Sequence, residues 1–346
     1  MKNQRKRSLA ALLLAVGMLF TLPTWVTGSV RALDDTVKCS LTVTSGREAG
    51  DDIENAEVVI DLYKVADANL VEGYDTYDYN PAGPYAGLES ELETARTVSE
   101  DQVGQENAGN NQEAWMSLAN RAASIALETQ GLDKVTVDMG QRAENLDWGL
   151  YLVIAHGENL SEEQYIKTQE GRITTIAQSP TIEYSFTPYL VSLPNKESLN
   201  TSSGDWMYDV EGALKAEQEE RFGDLELVKT LDGYSPAAGA SFVFQVEARG
   251  ADGEIVYSNV VSMEFTASGT QSYVLERIPA QSEVKVTEIY SGTAYTPAAA
   301  TQTTTIIAAD TVEVSFANSY TGGGNYSSSA LNHFEYTADG WNWTQQ

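Results

Sequence analysis

The stretch Gly223-Asp224-Leu225-Glu226-Leu227-Val228-Lys229-Thr230-Leu231 alternates as a β-strand does, and it writes a lysine into its apolar row. Successive side chains of a strand point to opposite faces, so Leu225, Leu227, Lys229 and Leu231 share one face. Two later stretches break parity in the same way. In SEVKVTE (282–288) the apolar row runs Val284, Val286 and then Glu288. In VEVSFAN (312–318) it runs Val312, Val314, Phe316 and then Asn318. An amine, an acid and an amide each take a core-facing slot in a separate strand.

A lone buried ammonium or carboxylate costs several kcal/mol, so such groups change protonation state or find partners. A desolvated lysine titrates lower and becomes a free amine, which is a nucleophile. A carboxyl kept from water holds its proton more tightly and can polarise an amide carbonyl. If the three meet, attack of Lys229 on the Asn318 amide carbon, assisted by Glu288, expels ammonia and leaves an amide cross-link. Taken singly, each residue has a plainer explanation: Lys229 snorkels out at a strand end, Glu288 caps a strand and Asn318 starts a turn. Three matching parity violations in one short domain favour the cross-link.

Residues from about Asp224 to Tyr320 resemble a collagen-adhesin B-type (Cna-B) domain, in the variant found as an isopeptide-linked module of Gram-positive pilins. The segments carrying the resemblance are LELVKTL with Lys229, ASFVFQVEA, RIPAQSEVKVTE ending at Glu288, and VEVSFANSY with Asn318. The resemblance implies that the opening-strand lysine bonds to the closing-strand asparagine with help from the acid of the VTE strand. About seven strands are expected in this domain: 225–231, 240–248, 254–263, 270–277, 283–289, 301–308 and 311–317.

Residues 1–32 read as a secretory signal. Lys2, Arg5, Lys6 and Arg7 form a basic start, Leu9 to Leu22 is apolar, and Val30-Arg31-Ala32 offers a cleavage site. A retained single anchor is the rival reading; Pro23, Thr24 and the polar Thr27-Gly28-Ser29 cut the apolar run short of a comfortable span. These residues hold five of the 21 basic side chains and no acid, leaving 16 basic against 50 acidic. So strong a negative charge argues against nucleic acid and anionic lipid as partners, and the reading includes no membrane association after signal cleavage. The single Cys39 excludes an intramolecular disulfide. An exported chain without disulfides needs another staple if it is to survive harsh conditions, and an isopeptide bond would supply one.

The first domain is expected over 33–220. Its opening strand turns Cys39, Leu41 and Val43 inward, and Val58–Val65 is apolar on both faces. The acidic, Tyr-rich segment 69–88 reads as a solvated loop. Glu72, Asp75 and Asp78 lack the ordered spacing of a calcium loop. A helix is expected from Gln112 to about Thr129, where Trp115, Leu118, Ala119, Ala122, Ile125 and Ala126 fall on one face. His156 and His333 stand apart, so no nucleophilic triad and no metal set is expected. Lys38 should face water and Lys64 should end a strand, so no second cross-link is assigned.

FTPYLVSLPN followed by DWMYDV resembles the end of the N-terminal domain of Gram-positive shaft pilins, and GLYLV and IDLYKVAD fit the same family. Those pilins carry Trp, three residues, Val, one residue, then Val-Tyr-Pro-Lys. Here Trp206, Val210 and Lys215 keep the spacing, while Gly212, Ala213 and Leu214 replace Val-Tyr-Pro. The resemblance implies Lys215 as the amine that a sortase joins to another subunit. The altered flanks leave a plain linker lysine as the other reading. Sortase polymerisation also needs an LPxTG-like sorting signal followed by an apolar segment. LPNKE at Leu193 is not one, so the expectation is a terminal or accessory subunit or one that associates non-covalently through its tail, with a truncated reading frame as the plainer alternative. The charged stretch 215–222 reads as a linker.

Residues 321–346 are expected to form a Gly/Ser spacer and an aromatic hairpin, with Phe334, Tyr336, Trp341 and Trp343 on one face. The fold expected is mostly β: two tandem Ig-like (Cna-B-type) sandwich domains at 33–220 and 221–320, the first with an inserted α-helix. The functional expectation is a secreted cell-surface pilin-like subunit or adhesin. It uses no cofactor and no metal, and it is not an enzyme beyond one turnover of self-cross-linking. Its partners would be other pilus or surface subunits and a sortase, with the host or matrix ligand unspecified. The alternative is a secreted carbohydrate- or protein-binding module whose contact surface is Tyr336, Trp341 and Trp343.

Overall fold

The computed structural model describes residues 34, 36–46, 49–72, 76–101, 109–169, 171–196, 206–322, 332–337 and 340–345. The expected signal segment 1–32 lies outside the described residues. The protein is mostly β, and its contacts divide it into two compact units. One comprises Met1–Ala177 and Tyr184–Gln218, the other Gln178–Glu183 and Glu219–Gln346.

The second unit contains two four-stranded sheets. The first has the order Gly269–Pro279, Phe222–Asp232, Thr311–Tyr320, Tyr295–Pro297; the second has Ile255–Glu264, Ser241–Arg249, Glu283–Tyr290, Thr301–Thr305. Alternation places Leu225, Leu227 and Leu231 in one core with Phe242, Phe244, Val246, Val284, Val286, Val314 and Phe316. The opening and closing strands run parallel, with Leu225 beside Val312 and Leu231 beside Asn318. Gly223 begins the buried row because a Cβ there would stand 2.1 Å from the Ile307 carbonyl oxygen. Tyr295–Pro297 is a strand that the sequence pattern does not announce, being three residues long and ending on a proline.

In the first unit, Val58–Leu70 is central to a five-stranded sheet. It pairs with Gly149–Gly157, Tyr77–Pro81 and Val135–Asp138, while Tyr189–Leu193 lies beyond Gly149–Gly157. Every residue of Gly149–Gly157 is buried, as its near-continuous apolar run requires. Helices Glu89–Asp101 and Gly109–Glu128 contribute Leu92, Ala95, Leu118, Ala122 and Ala126 to a core shared with Tyr63, Val65, Leu150 and Leu152. The helical insertion thus has two helices. A smaller sheet sets Cys39–Thr44 between Asp209–Ala213, parallel to it, and Arg142–Leu146, antiparallel.

Two stretches expected as irregular are extended. Tyr77–Pro81 is a strand whose alternate residues Tyr77 and Tyr79 are half-buried, and Asp78 pairs with Arg96 at 2.6 Å. The charged 215–222 stretch holds the strand Ala216–Glu220, and Phe222 already belongs to the next strand. A strand exposed on both faces leaves no alternation to read.

Candidate functional site

Three strands supply the site in the second unit. Lys229 comes from the opening strand, Asn318 from the closing strand beside it, and Glu288 from the other sheet, where it is the partner of Phe244. A register shift between Val243 and Phe244 passes over Ile289 just after Glu288, and the Glu288 N–H donates to Ala300 O. The side chains of Lys229 and Glu288 are both fully buried, and so is Asn318.

The three side chains close a ring of hydrogen bonds. Lys229 Nζ donates to Glu288 Oε2 at 2.9 Å and to Asn318 Oδ1 at 2.5 Å. Asn318 Nδ2 donates to Glu288 Oε1 at 2.5 Å. The rings of Phe242, Phe244 and Phe316 stand 4.5, 5.4 and 6.0 Å from Nζ, so the buried amine has aromatic walls. Burial pushes the Lys229 amine below the usual lysine value, against the opposing hydrogen bond and charge of Glu288. The sequence pattern points to the acid acting at the amide carbonyl. The geometry instead gives one carboxylate oxygen to the amine and the other to the amide nitrogen. Such a carboxylate can take a proton from an attacking amine and return it to a departing one. The three phenylalanines are the part of the site that parity cannot single out, because aromatic core residues look alike in sequence.

The first unit holds a different polar cluster. Asp61, 1% exposed, accepts from Lys134 Nζ at 2.6 Å and Thr136 Oγ1 at 2.5 Å, and lies 3.2 Å from His156 Nε2. Burial works to raise the Asp61 carboxyl. The hydrogen bonds from His156, Lys134 and Thr136 outweigh it and hold the group below the usual aspartate value. An ionised carboxylate is a poor acyl donor to an amine, and the Lys134 side chain is 37% exposed, so this is an ion-pair cluster. Asp61 interrupts an apolar run with no one-sided row to violate, so parity cannot flag it. Lys64 and Lys38 pair with Asp67 and Asp147 at the surface. Among the described residues no group of three His, Cys, Asp or Glu is placed to hold a metal ion.

The sequence-identified Lys215 motif lies at the end of the first unit. Val210 is fully buried opposite Leu41, Trp206 packs its ring 5.3 Å from that of Tyr77, and Lys215 is exposed. The Leu214 N–H donates to Thr44 O, so Lys215 follows the last anchored residue of the parallel pair. The departure at Gly212 has a local reason: a Cβ there would stand 3.1 Å from the Tyr189 hydroxyl. The tail strands Asn332–Thr337 and Gly340–Gln345 pair with Phe334 opposite Trp343 and Tyr336 opposite Trp341. The side chains of Tyr336, Trp341 and Trp343 lie outside the described residues.

Residues 225–321 match the family described as a domain of unknown function, DUF5979. No curated protein matches the chain. Its structural neighbours are Gram-positive pilins and adhesins. GBS52, the minor pilin of Streptococcus agalactiae, is 14% identical over 84% of this chain and 100% of its own, with a TM-score of 0.24. The major pilin SpaD of Corynebacterium diphtheriae is 11% identical over 84% and 100%, with a TM-score of 0.23. A Mobiluncus mulieris adhesin containing intramolecular disulfide, isopeptide and ester cross-links is 15% identical over 77% and 86%, with a TM-score of 0.24. At such scores the chains do not superpose as wholes.

Proposed function

We propose that Lys229 and Asn318 join in an isopeptide bond and that the protein is an exported, cell-surface structural subunit of the pilin or adhesin type. The observation carrying this reading is the buried ring of Lys229, Glu288 and Asn318, in which an amine with a lowered titration point touches an amide. The Nζ lone pair attacks Asn318 Cγ. The proton lost from Nζ passes through Glu288 to Asn318 Nδ2, the Cγ–Nδ2 bond breaks, and ammonia leaves. One amide is consumed and one is formed, so no other reactant is needed. The residues act once on themselves, which suits a structural protein rather than a catalyst.

The experiment is an intact mass of the folded protein after removal of residues 1–32. A deficit of one ammonia, mapped to a peptide pair containing Lys229 and Asn318, supports the reading; the full sequence mass overturns it.

The finer reading gives the partner. Exposed Lys215, two residues past the strand Asp209–Ala213 that pairs with Cys39–Thr44, is the amine a sortase would join to another subunit. Incubation with a pilus sortase and an LPxTG-bearing subunit should give a conjugate at Lys215. A conjugate unaffected by Lys215→Ala, or none, would remove the sortase from the reading and leave the isopeptide bond standing.

A further inference from the structure

The edge strand Ile255–Glu264 carries an unequal cover. Its core-facing residues Val261 and Met263 pair with Phe244 and Phe242, so Val256, Ser258, Val260 and Ser262 point away from the core. An outer row on an edge strand should be open to solvent along its length. Val256 and Ser262 are exposed, yet Ser258 and Val260 between them are half-buried. The Ser258 hydroxyl is wholly buried and makes no hydrogen bond. Something covers the middle of the row, and the hairpin strand Gly340–Gln345 runs within 8 Å of this edge strand, Cα to Cα.

The hairpin does not extend the sheet; it forms a two-stranded sheet of its own. At the edge, Asn259 Oδ1 accepts the Val260 N–H at 2.8 Å, which blunts that position against strand addition. The receptive surface is therefore the outer face around Ser258 and Val260, bordered by half-buried Gln245 and Glu247, which are their cross-strand partners. A two-stranded hairpin is marginal in isolation and needs a surface to bury its aromatic residues. Its contact here is non-covalent, and it is joined to the closing strand only through residues 321–331. A contact that a tethered segment makes on its own unit can be made identically on another copy.

We infer that the outer face at Ser258 and Val260 is the docking site for the C-terminal hairpin, and that its partner in assembly is the hairpin of a second copy. The hairpin's approach to its own sheet is the closed, unassembled form of the same interface. This inference goes beyond the cross-link and does not rest on it.

The test is a complementation between two full-length variants. Trp341→Ala/Trp343→Ala disables the hairpin and leaves the face; Ser258→Arg blocks the face and leaves the hairpin. Size-exclusion chromatography with light scattering should give each variant alone as one chain, and their equimolar mixture as a species of two chains. A mixture that stays at the mass of one chain overturns the inference. Val260→Glu is the second face variant and should behave as Ser258→Arg does. Circular dichroism and thermal melting of each variant verify that it is folded before the mixture is read. The intact mass of the wild type reports separately on the isopeptide bond, so the two readings stand or fall apart.

Discussion

Lys229 does not lie opposite Asn318; its Cα partner on the closing strand is Phe316, and Asn318 is the partner of Leu231. Contact at 2.5 Å between Nζ and Oδ1 is therefore made along a diagonal, two residues further up a parallel strand. Diagonal neighbours stand about 7–8 Å apart, a gap that a four-carbon arm can bridge and a shorter one cannot. The same offset leaves Phe316 beneath the arm, where its ring helps to exclude water.

Glu288→Ala should leave the protein at its full mass, because it removes the group that relays the proton. The unlinked chain should also be less stable. The proposed bond would join positions 89 apart in the sequence, and by analogy with disulfide loop closure such a link is worth roughly 4–5 kcal/mol. Intact mass and a denaturant melt on the same sample check both; a full-mass variant with wild-type stability would detach the bond from stability.

Cross-linking should depend on pH through Lys229. The attacking amine must be neutral, and burial lowers the point at which it loses its proton. Following ammonia loss during refolding at a series of pH values, the rate should rise with pH and level off below the ordinary lysine range. A rate still climbing through that range would mean that Lys229 reacts from a solvated state.

Asp61 should make the first unit acid-sensitive. Its carboxyl is held below the usual aspartate value, so its contribution is fully present above the unfolded value and is lost as pH falls through the folded one. Asp61→Asn should cost about 2 kcal/mol at neutral pH, since bonds to a charged group are the stronger ones. It should also flatten the acid limb of the stability profile. Unfolding monitored by tryptophan fluorescence between neutral pH and strong acid checks both effects.

Gly212→Val, which restores the residue usual in the pilin motif, should destabilise the first unit by about 1–3 kcal/mol through overpacking. The obstacle is the Tyr189 hydroxyl, which is buried and makes no hydrogen bond. Tyr189→Phe should cost little alone and should recover most of the loss in the double variant. A double-mutant cycle by thermal melting measures the coupling; strict additivity would show that the two side chains do not compete for one space.

Much of the second unit is legible from its sequence because each sheet buries one face. With a period of two, a single polar residue in the inward row stands out, and Lys229, Glu288 and Asn318 each do so on local evidence alone. Where a strand is buried on both faces the signal vanishes, which is why Asp61 gives no warning inside Val58–Leu70. It also vanishes where neither face is buried, as in Ala216–Glu220. His156 looks solitary in sequence because its partner Asp61 lies 95 positions away on the neighbouring strand.

The sequence by itself determined which side chains of the second unit enter its core, since alternation is a property of a single strand. Only the tertiary structure decided which of them meet. The parallel register sets the diagonal from Lys229 to Asn318, and the register shift after Glu288 delivers an acid from the other sheet. The facing sheet brings Phe242 and Phe244 around the amine. Register and sheet packing are relations between strands far apart in the chain, fixed by the combined burial of many residues, and no local pattern encodes them.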